Sequence, residues 1–223
     1  MKTKLIDYVN DGPIFITGHL NPDGDALGSA FALKIFFESQ NVSSDVNFDI
    51  TTKLPSNLNH LPYHLISNDI KDKYNTVFVF DCGNSSRLGK YEEVVLAAEN
   101  IVVIDHHVDP SFGDVQIIDP EAASTTQVLF RQFKDENIEI NEEMSNCLLT
   151  GLITDTGRFQ YSNTTSEVFS IAAELLSKGA NLSQISENIY GSIEFNALTL
   201  QSKIIERIVL NEDLQFAHSI VFQ

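Results

Sequence analysis

Side chains able to ligate a hard metal ion recur at four points of the chain. The stretch Gly18-His19-Leu20-Asn21-Pro22-Asp23-Gly24-Asp25 crowds one imidazole and two carboxylates into a few residues. Asp81-Cys82-Gly83 and Asp105-His106-His107 each close an apolar run, and Thr154-Asp155-Thr156-Gly157-Arg158 adds a further acid. Taken singly, each has an ordinary explanation: Asn-Pro and Asp-Gly make turns, Asp25 suits a helix N-cap, and adjacent histidines can be surface groups. Together they imply a crowded acidic site. At an effective dielectric of about 20, two carboxylates about 4 Å apart repel by roughly 4 kcal/mol, so Asp23, Asp25, Asp81 and Asp155 could not all stay ionised in one crevice unaided. Either their pKa values rise or cations sit among them. Two divalent ions would balance four carboxylates, and oxygen ligands with one or two imidazoles and no thiolate favour manganese or magnesium over structural zinc. Paired ions of that kind clamp an in-line displacement at phosphorus.

The elements that would have to position these groups are readable. Short apolar runs, Ile14 to Thr17, Val77 to Phe80, Ile101 to Ile104 and Val115 to Ile118, are continuous rather than alternating, which predicts strands covered on both faces. Helical spacing predicts helices over Ala26 to Glu38, Ala123 to Lys134, Glu142 to Leu152 and Ser166 to Ser177. Strand, crossover helix and strand in turn predict an α/β fold with a parallel β-sheet flanked by helices. In such a sheet the loops at the carboxyl ends of adjacent strands open onto one crevice, where His19, Asp81 and the Asp105-His106-His107 run would meet. The segment after the predicted helix Glu142 to Leu152 would bring Asp155 in on a sharp turn.

The chain end reads differently, with a helix expected around Ala197 to Ile208, a turn at Asn211 to Asp213 and an alternating stretch from Leu214 to Phe222. A strand there has no later segment to pair with, so its edge would need a partner from elsewhere. The expectation is a first domain over 1–193, then a linker helix and the start of a second, largely missing α/β domain over 194–223.

Composition limits the partners. Lys+Arg number 14 against 31 Asp+Glu, a formal charge of -17, so the surface repels polyanions and lacks the basic footprint of a duplex-binding protein. Long duplex nucleic acid is excluded as the expected partner, whereas a small anion remains compatible if a metal supplies local charge. The only cysteines, Cys82 and Cys147, form no disulfide framework. The first residues, MKTKLIDYVNDG, lack the apolar core of a signal peptide, and no apolar stretch is long enough to span a membrane. A cytoplasmic protein without membrane contact is expected; self-association into a homo-oligomer is left open.

GHLNPDGDALGS, FDCGN, IDHHVD and TDTGRFQYSNTT resemble, in order, the four motifs of the DHH phosphoesterases, and together they span His19 to Thr165. The resemblance implies that His19 and Asp23 hold one metal, that Asp25, His106 and Asp155 hold the other, and that Asp81 bridges both. It implies that Asp105 accepts a hydrogen bond from a ligating imidazole, and that His107 faces the substrate and protonates the leaving group. The implied nucleophile is a water shared by the two metals. The DTGRF loop resembles the stand-alone branch that degrades very short RNA and dephosphorylates adenosine 3′,5′-bisphosphate (pAp), with a short oligonucleotide or nucleotide as partner and two divalent ions, Mn2+ before Mg2+, as cofactors. Pyrophosphatases, exopolyphosphatases and cyclic or linear dinucleotide phosphodiesterases are sister branches, and a regulatory binding module without turnover is a competing class. Arg158 is placed to approach a phosphate, as is Arg87 with less support; either could instead be a surface residue paired with one of the many acids. Phe159 and Tyr161 suit base stacking or a short strand packed on the core. The Gly-rich segment by which relatives of this branch grip the nucleotide end does not occur, so metal binding with weak hydrolysis is expected.

Overall fold

The fold is described from a computed structural model covering residues 4–8, 12–51, 53–108, 110–191 and 195–221. Strands β1 (Ile14–Gly18), β2 (Ser44–Val46), β3 (Thr76–Phe80), β4 (Asn100–Asp105) and β5 (Val115–Ile118) form one sheet in the order β2-β1-β3-β4-β5, every neighbouring pair parallel. The expected α/β architecture is present. β2 escapes the sequence pattern because Ser44-Asp45-Val46 is too short and polar to stand out.

The continuous apolar runs are explained by burial on two sides. Ile14 and Ile16 of β1, Phe78 and Phe80 of β3, and Val102 and Ile104 of β4 face one core. Phe15, Val77, Val79, Ile101 and Val103, the alternate residues, face a second core with Tyr74, Leu88 and Val95. β5 is the exception to the expectation: it lies at the sheet edge with no residue fully buried, so its apolar run is covered only in part.

The larger core is closed by α1 (Gly24–Ser39), α3 (Thr125–Asp135), α4 (Glu142–Asp155), α5 (Ser166–Ser177) and α6 (Leu182–Tyr190); a short α2 (Glu92–Leu96) caps the other face. Residues 24–37 of α1 are all buried. This helix runs through the middle of the molecule because it packs directly on α4. A Cβ at Gly28 would sit 2.4 Å from the Cys147 carbonyl oxygen, so only glycine lets the two backbones approach this closely.

Two boundaries differ from the sequence reading in ways that matter below. α1 begins at Gly24 with Asp23 as its N-cap: the Asp23 side chain accepts from the N–H of Asp25 and Ala26 at 3.0 and 3.1 Å, which leaves Asp25 inside the first turn rather than at the cap. α4 continues through Asp155, so this acid is the last residue of a helix and not part of a turn. Helices keep their hydrogen bonding until something breaks it, and here the breaker is the left-handed Gly157.

Beyond residue 194 the chain forms α7 (Phe195–Glu206) and a hairpin of β6 (Val209–Asn211) and β7 (Phe216–His218). The expectation of a terminal strand without a partner is corrected: Phe216 to His218 pair antiparallel with the preceding Val209 to Asn211. The expected boundary at 193/194 lies outside the described residues.

Candidate metal centre

The carboxyl ends of β1, β3 and β4 are adjacent in the sheet, and each is followed at once by one of the His/Asp clusters. The loop after β1 carries His19 and Asp23, and the first turn of α1 carries Asp25; β3 runs directly into Asp81; β4 ends in Asp105 and continues into His106 and His107. The C-terminal end of α4 reaches the same place with Asp155. Three sets of donor atoms lie within 4.8 Å of one another: His19, Asp23 and Asp81; Asp25, His106 and Asp155; and Asp81, Asp105, His106 and His107.

The distances tie these sets into one cluster. His19 Nε2 is 3.8 Å from Asp23 Oδ2 and 3.4 Å from Asp81 Oδ2. His106 Nε2 is 3.4 Å from Asp155 Oδ2 and 3.8 Å from Asp81 Oδ1, so Asp81 stands between the two groups. Both imidazoles are oriented through their other nitrogen. His19 Nδ1 faces the Leu20 carbonyl at 2.9 Å and His106 Nδ1 the Ala122 carbonyl at 3.3 Å, so a proton on Nδ1 leaves each Nε2 turned to the acids. Asp81 reaches its position through a left-handed backbone, φ 52°, which Asp enters more readily than bulkier residues.

Asp25 is fully buried, and both of its oxygens are held. The N–H groups of Thr125 and Thr126, in the first turn of α3, donate to Oδ2 and Oδ1 at 2.6 and 2.8 Å. The positive end of that helix thus fixes the carboxylate. Gly151 on α4 leaves room for it, since a Cβ there would lie 2.6 Å from Asp25 Oδ1. These supports were not found from the sequence. Ser124 and Gln127 do mark the helix start as a capping pair, but nothing local shows that its first turn points at Asp25.

Asp105 differs from its expected part. Its Oδ1 accepts from the backbone N–H of His106 and His107 at 2.7 and 2.9 Å, and this fold-back brings His107 Nδ1, not the imidazole of His106, to 2.8 Å. The imidazole that Asp105 orients is therefore the half-exposed His107.

The electrostatics of the cluster are those of crowded acids. Burial first, then the charges of Asp81 and Asp23, push Asp25 upward despite the two N–H bonds it accepts. Burial and the charges of Asp25, Asp23 and Asp81 do the same to Asp155. Burial works to lower His19, but the bonds to Asp23 and Asp81 prevail and hold it at about 10. His107 is held at about 10 by Asp105 and then Asp81. Asp81, opposed by burial, is drawn down by His107 and His19. The cluster holds protons because its negative charge exceeds what the protein balances. That uncompensated charge, on oxygen and nitrogen donors already converged and oriented, fits divalent cations.

The remaining predicted residues are more peripheral. Arg87 is exposed on a 3-10 turn, Ser85–Tyr91, and meets the crevice through its backbone, its carbonyl accepting the Leu20 N–H at 2.6 Å. Arg158 is exposed, and among the described residues its side chain has a ring rather than a carboxylate as neighbour: the guanidinium lies 3.9 Å from the centre of Tyr190. The strand offered for Phe159 and Tyr161 is a turn, with Phe159 packed on Phe169 and Tyr161 left 62% exposed. A cavity of about 420 Å³ lies at the far end of α1, between Phe36, Glu136 and Met144, away from all of these groups.

The profile described as "DHH family, N-terminal domain" matches residues 13–152. The bifunctional oligoribonuclease and PAP phosphatase NrnA of Thermus thermophilus is 33% identical over 184 residues, covering 80% of this chain and 54% of that protein. Its Bacillus subtilis counterpart of the same name is 26% identical over 219 residues, covering 96% of this chain and 68% of that protein. The chain thus spans about half to two thirds of the length of these curated relatives. Among solved structures, an exopolyphosphatase-related protein from Bacteroides fragilis superposes with a TM-score of 0.85 at 27% identity, over 95% of this chain and 66% of the other. With three of its motifs at adjacent strand ends and the fourth brought to the same place by the end of α4, the chain belongs to the DHH family.

Proposed function

We propose that this chain is a manganese-dependent phosphoesterase that cleaves short oligoribonucleotides, removes the 3′-phosphate of adenosine 3′,5′-bisphosphate, or does both. The observation that carries the reading is the convergence of His19, Asp23, Asp25, Asp81, His106 and Asp155 within one crevice whose negative charge the protein leaves unbalanced. The names of the Thermus and Bacillus relatives support the substrate class. The net charge of -17 supports short substrates over long strands, which need a channel that neutralises many phosphates.

In this reading His19 and Asp23 would hold one cation, Asp25, His106 and Asp155 a second, and Asp81 both. Two such cations supply Lewis acidity toward a phosphoryl oxygen and lower the pKa of an attacking water. The chain's own residues do the rest. Thr125 and Thr126 keep Asp25 fixed, so that ligation costs little rearrangement. Asp105 keeps the proton of His107 on Nδ1 and orients the ring; protonated, His107 can give its Nε2 proton to the leaving oxygen. Arg158 offers a planar fork of donors to a phosphate. We read residues 1–193 as the catalytic domain and 194–223 as a separate arm, and the cytoplasm as the place of action; no helix among the described residues is long and apolar enough to cross a membrane.

The test is incubation with manganese and, separately, pApA, a five-nucleotide RNA, pAp, cyclic diadenylate and pyrophosphate, with Asp81→Ala as control. Hydrolysis of the RNA or of pAp, lost in the control, is the expected result. Turnover of pyrophosphate alone would move the chain to the pyrophosphatase branch, and silence on every substrate with metal bound would favour the regulatory class.

A further inference from the structure

The loop that follows Asp155 carries an unusual backbone. Gly157, Arg158 and Phe159 lie in succession at φ 54°, 63° and 63°. Glycine enters that region freely, but each of the other two costs on the order of 1–2 kcal/mol, and such residues persist only where their surroundings leave no alternative. The surroundings here are dense. The buried Thr156 hydroxyl donates to the Leu152 carbonyl at 2.6 Å and accepts the Phe159 N–H at 3.1 Å. The Arg158 N–H donates to the Ile153 carbonyl at 2.9 Å, and those of Gln160 and Tyr161 both donate to the Thr156 carbonyl. Asn163 Nδ2 closes the loop against the Asp155 carbonyl at 3.1 Å.

All this fixes where the Arg158 side chain starts, three residues from a metal-site acid. Where it ends is fixed by Tyr190, the last residue of α6, whose half-buried ring packs against the main core and lies 3.9 Å beneath the guanidinium. A cation–π contact at this distance restrains a long exposed side chain and leaves its N–H donors to other partners. Among the described residues the guanidinium N–H donors make no hydrogen bond, and no acid is within ion-pair range to claim them.

We propose that Tyr190 is a positioning residue, a platform that presents the N–H donors of Arg158 to a phosphate group of the substrate, so that a residue outside all four sequence motifs sets phosphate affinity. The inference rests on the phosphoesterase reading above and goes beyond it in assigning Tyr190 a part. A tyrosine whose task is only to fill space would affect stability without acting through Arg158.

The experiment measures kcat and KM for pAp with manganese in the full chain, for wild type, Tyr190→Ala, Tyr190→Phe, Arg158→Ala and the double variant Tyr190→Ala/Arg158→Ala, together with the Arg158 Nε–H resonance by NMR. Loss of a cation–π contact is expected to raise KM about two- to fivefold in Tyr190→Ala, with a smaller effect on kcat, and Tyr190→Phe restores it. Arg158→Ala is expected to raise KM by about tenfold or more, and the double variant to match Arg158→Ala alone. The ring-shifted Nε–H signal should vanish in Tyr190→Ala and remain in Tyr190→Phe. Effects on KM that multiply in the double variant, or a Tyr190→Ala enzyme with wild-type KM, would sink the inference and leave the phosphoesterase reading standing. A wild-type chain that shows the shifted signal but neither binds nor cleaves pAp would sink both.

Discussion

The crevice and the C-terminal arm spend apolar residues in opposite ways. α1, which carries Asp25 in its first turn, buries every residue from 24 to 37, and α4, which ends in Asp155, lies directly against it. α7 is of similar length and also rich in leucine and isoleucine, yet none of its residues is buried; Phe195 is 81% exposed and Ile205 66%. Among the described residues the β6–β7 hairpin pairs only with itself. The first region is held by contacts between segments distant in sequence, the second by local hydrogen bonds. A crevice that crowds Asp23, Asp25, Asp81 and Asp155 together against their mutual repulsion needs the first kind of support, and the described arm has nothing of that kind to hold.

The strongest test of this contrast removes one acid from the crevice. Asp155→Asn is expected to lower hydrolysis by more than about a hundredfold, because on the proposed reading it removes a metal ligand rather than a ligand's supporting partner. The metal-free chain should nevertheless melt no lower than wild type at neutral pH, since burial and the neighbouring acids force Asp155 to take up a proton on folding, a cost that the neutral amide does not carry. A large fall in Tm would show that the acids support the fold, and that the crevice carries no stored repulsion.

The core beneath the site comes next. Leu148 on α4 is fully buried in the main core, and Leu148→Ala is expected to cost about 2–5 kcal/mol in urea unfolding, the range for a cavity that closes only in part. Gly151→Ala is expected to cost about 1–3 kcal/mol by overpacking, because the new methyl group meets both Thr126 and Asp25. It should also weaken manganese binding in calorimetry, which Leu148→Ala should do far less. Equal effects of the two on metal affinity would mean that the site senses stability in general, not the space that Gly151 leaves.

Much of this was legible in the residues. The strand ends at His19, Asp81 and Asp105 could be read because parallel strands betray themselves as short continuous apolar runs and because His and Asp residues follow immediately. Asp155 was found as an acid, though its setting was misjudged: the spacing that identified α4 weakens after Leu152, and the helix continues on hydrogen bonds that no side-chain pattern reports. Thr125, Thr126, Gly151 and Tyr190 were invisible for a different reason. Each acts through a partner far away in sequence, Asp25 for the first three and Arg158 for the last, so their meaning arises only on packing. The exchange of partners at Asp105 has a local cause, a carboxylate folding back on the next two N–H groups, which could have been anticipated from its place at a strand end.

A smaller effect is expected from His60, which lies against α4 with Nε2 2.9 Å from Thr150 Oγ1 and with Nδ1 buried and, among the described residues, without a hydrogen-bond partner. Burial lowers its pKa below the ordinary 6.5. The unfolded chain therefore binds a proton at a pH where the folded chain refuses it. Above about pH 6.5 both states are neutral at this position and the contribution is fully present; as the pH falls through 6.5 toward the folded pKa it is lost. The urea midpoint of wild type should fall between pH 7 and pH 5.5 by more than that of His60→Gln. Parallel curves for the two proteins would show that His60 titrates alike in both states.

The smallest effect is expected where the contrast began. Ile205→Ala removes a side chain as large as many in the core, and if apolar content alone decided stability it would cost as much as a truncation in α4. The residue is 66% exposed on a helix that buries nothing, so the unfolded chain loses almost as much on truncation as the folded one does, and the change in stability should stay within about 0.5 kcal/mol. The measurement is urea unfolding alongside Leu148→Ala, repeated over a hundredfold range of protein concentration. A loss above about 1.5 kcal/mol at every concentration would place Ile205 in a packed core and end the distinction between the two regions. A loss that appears only at high concentration would instead mean that the arm is covered by a second copy of the chain, because only an intermolecular contact makes stability depend on mass action.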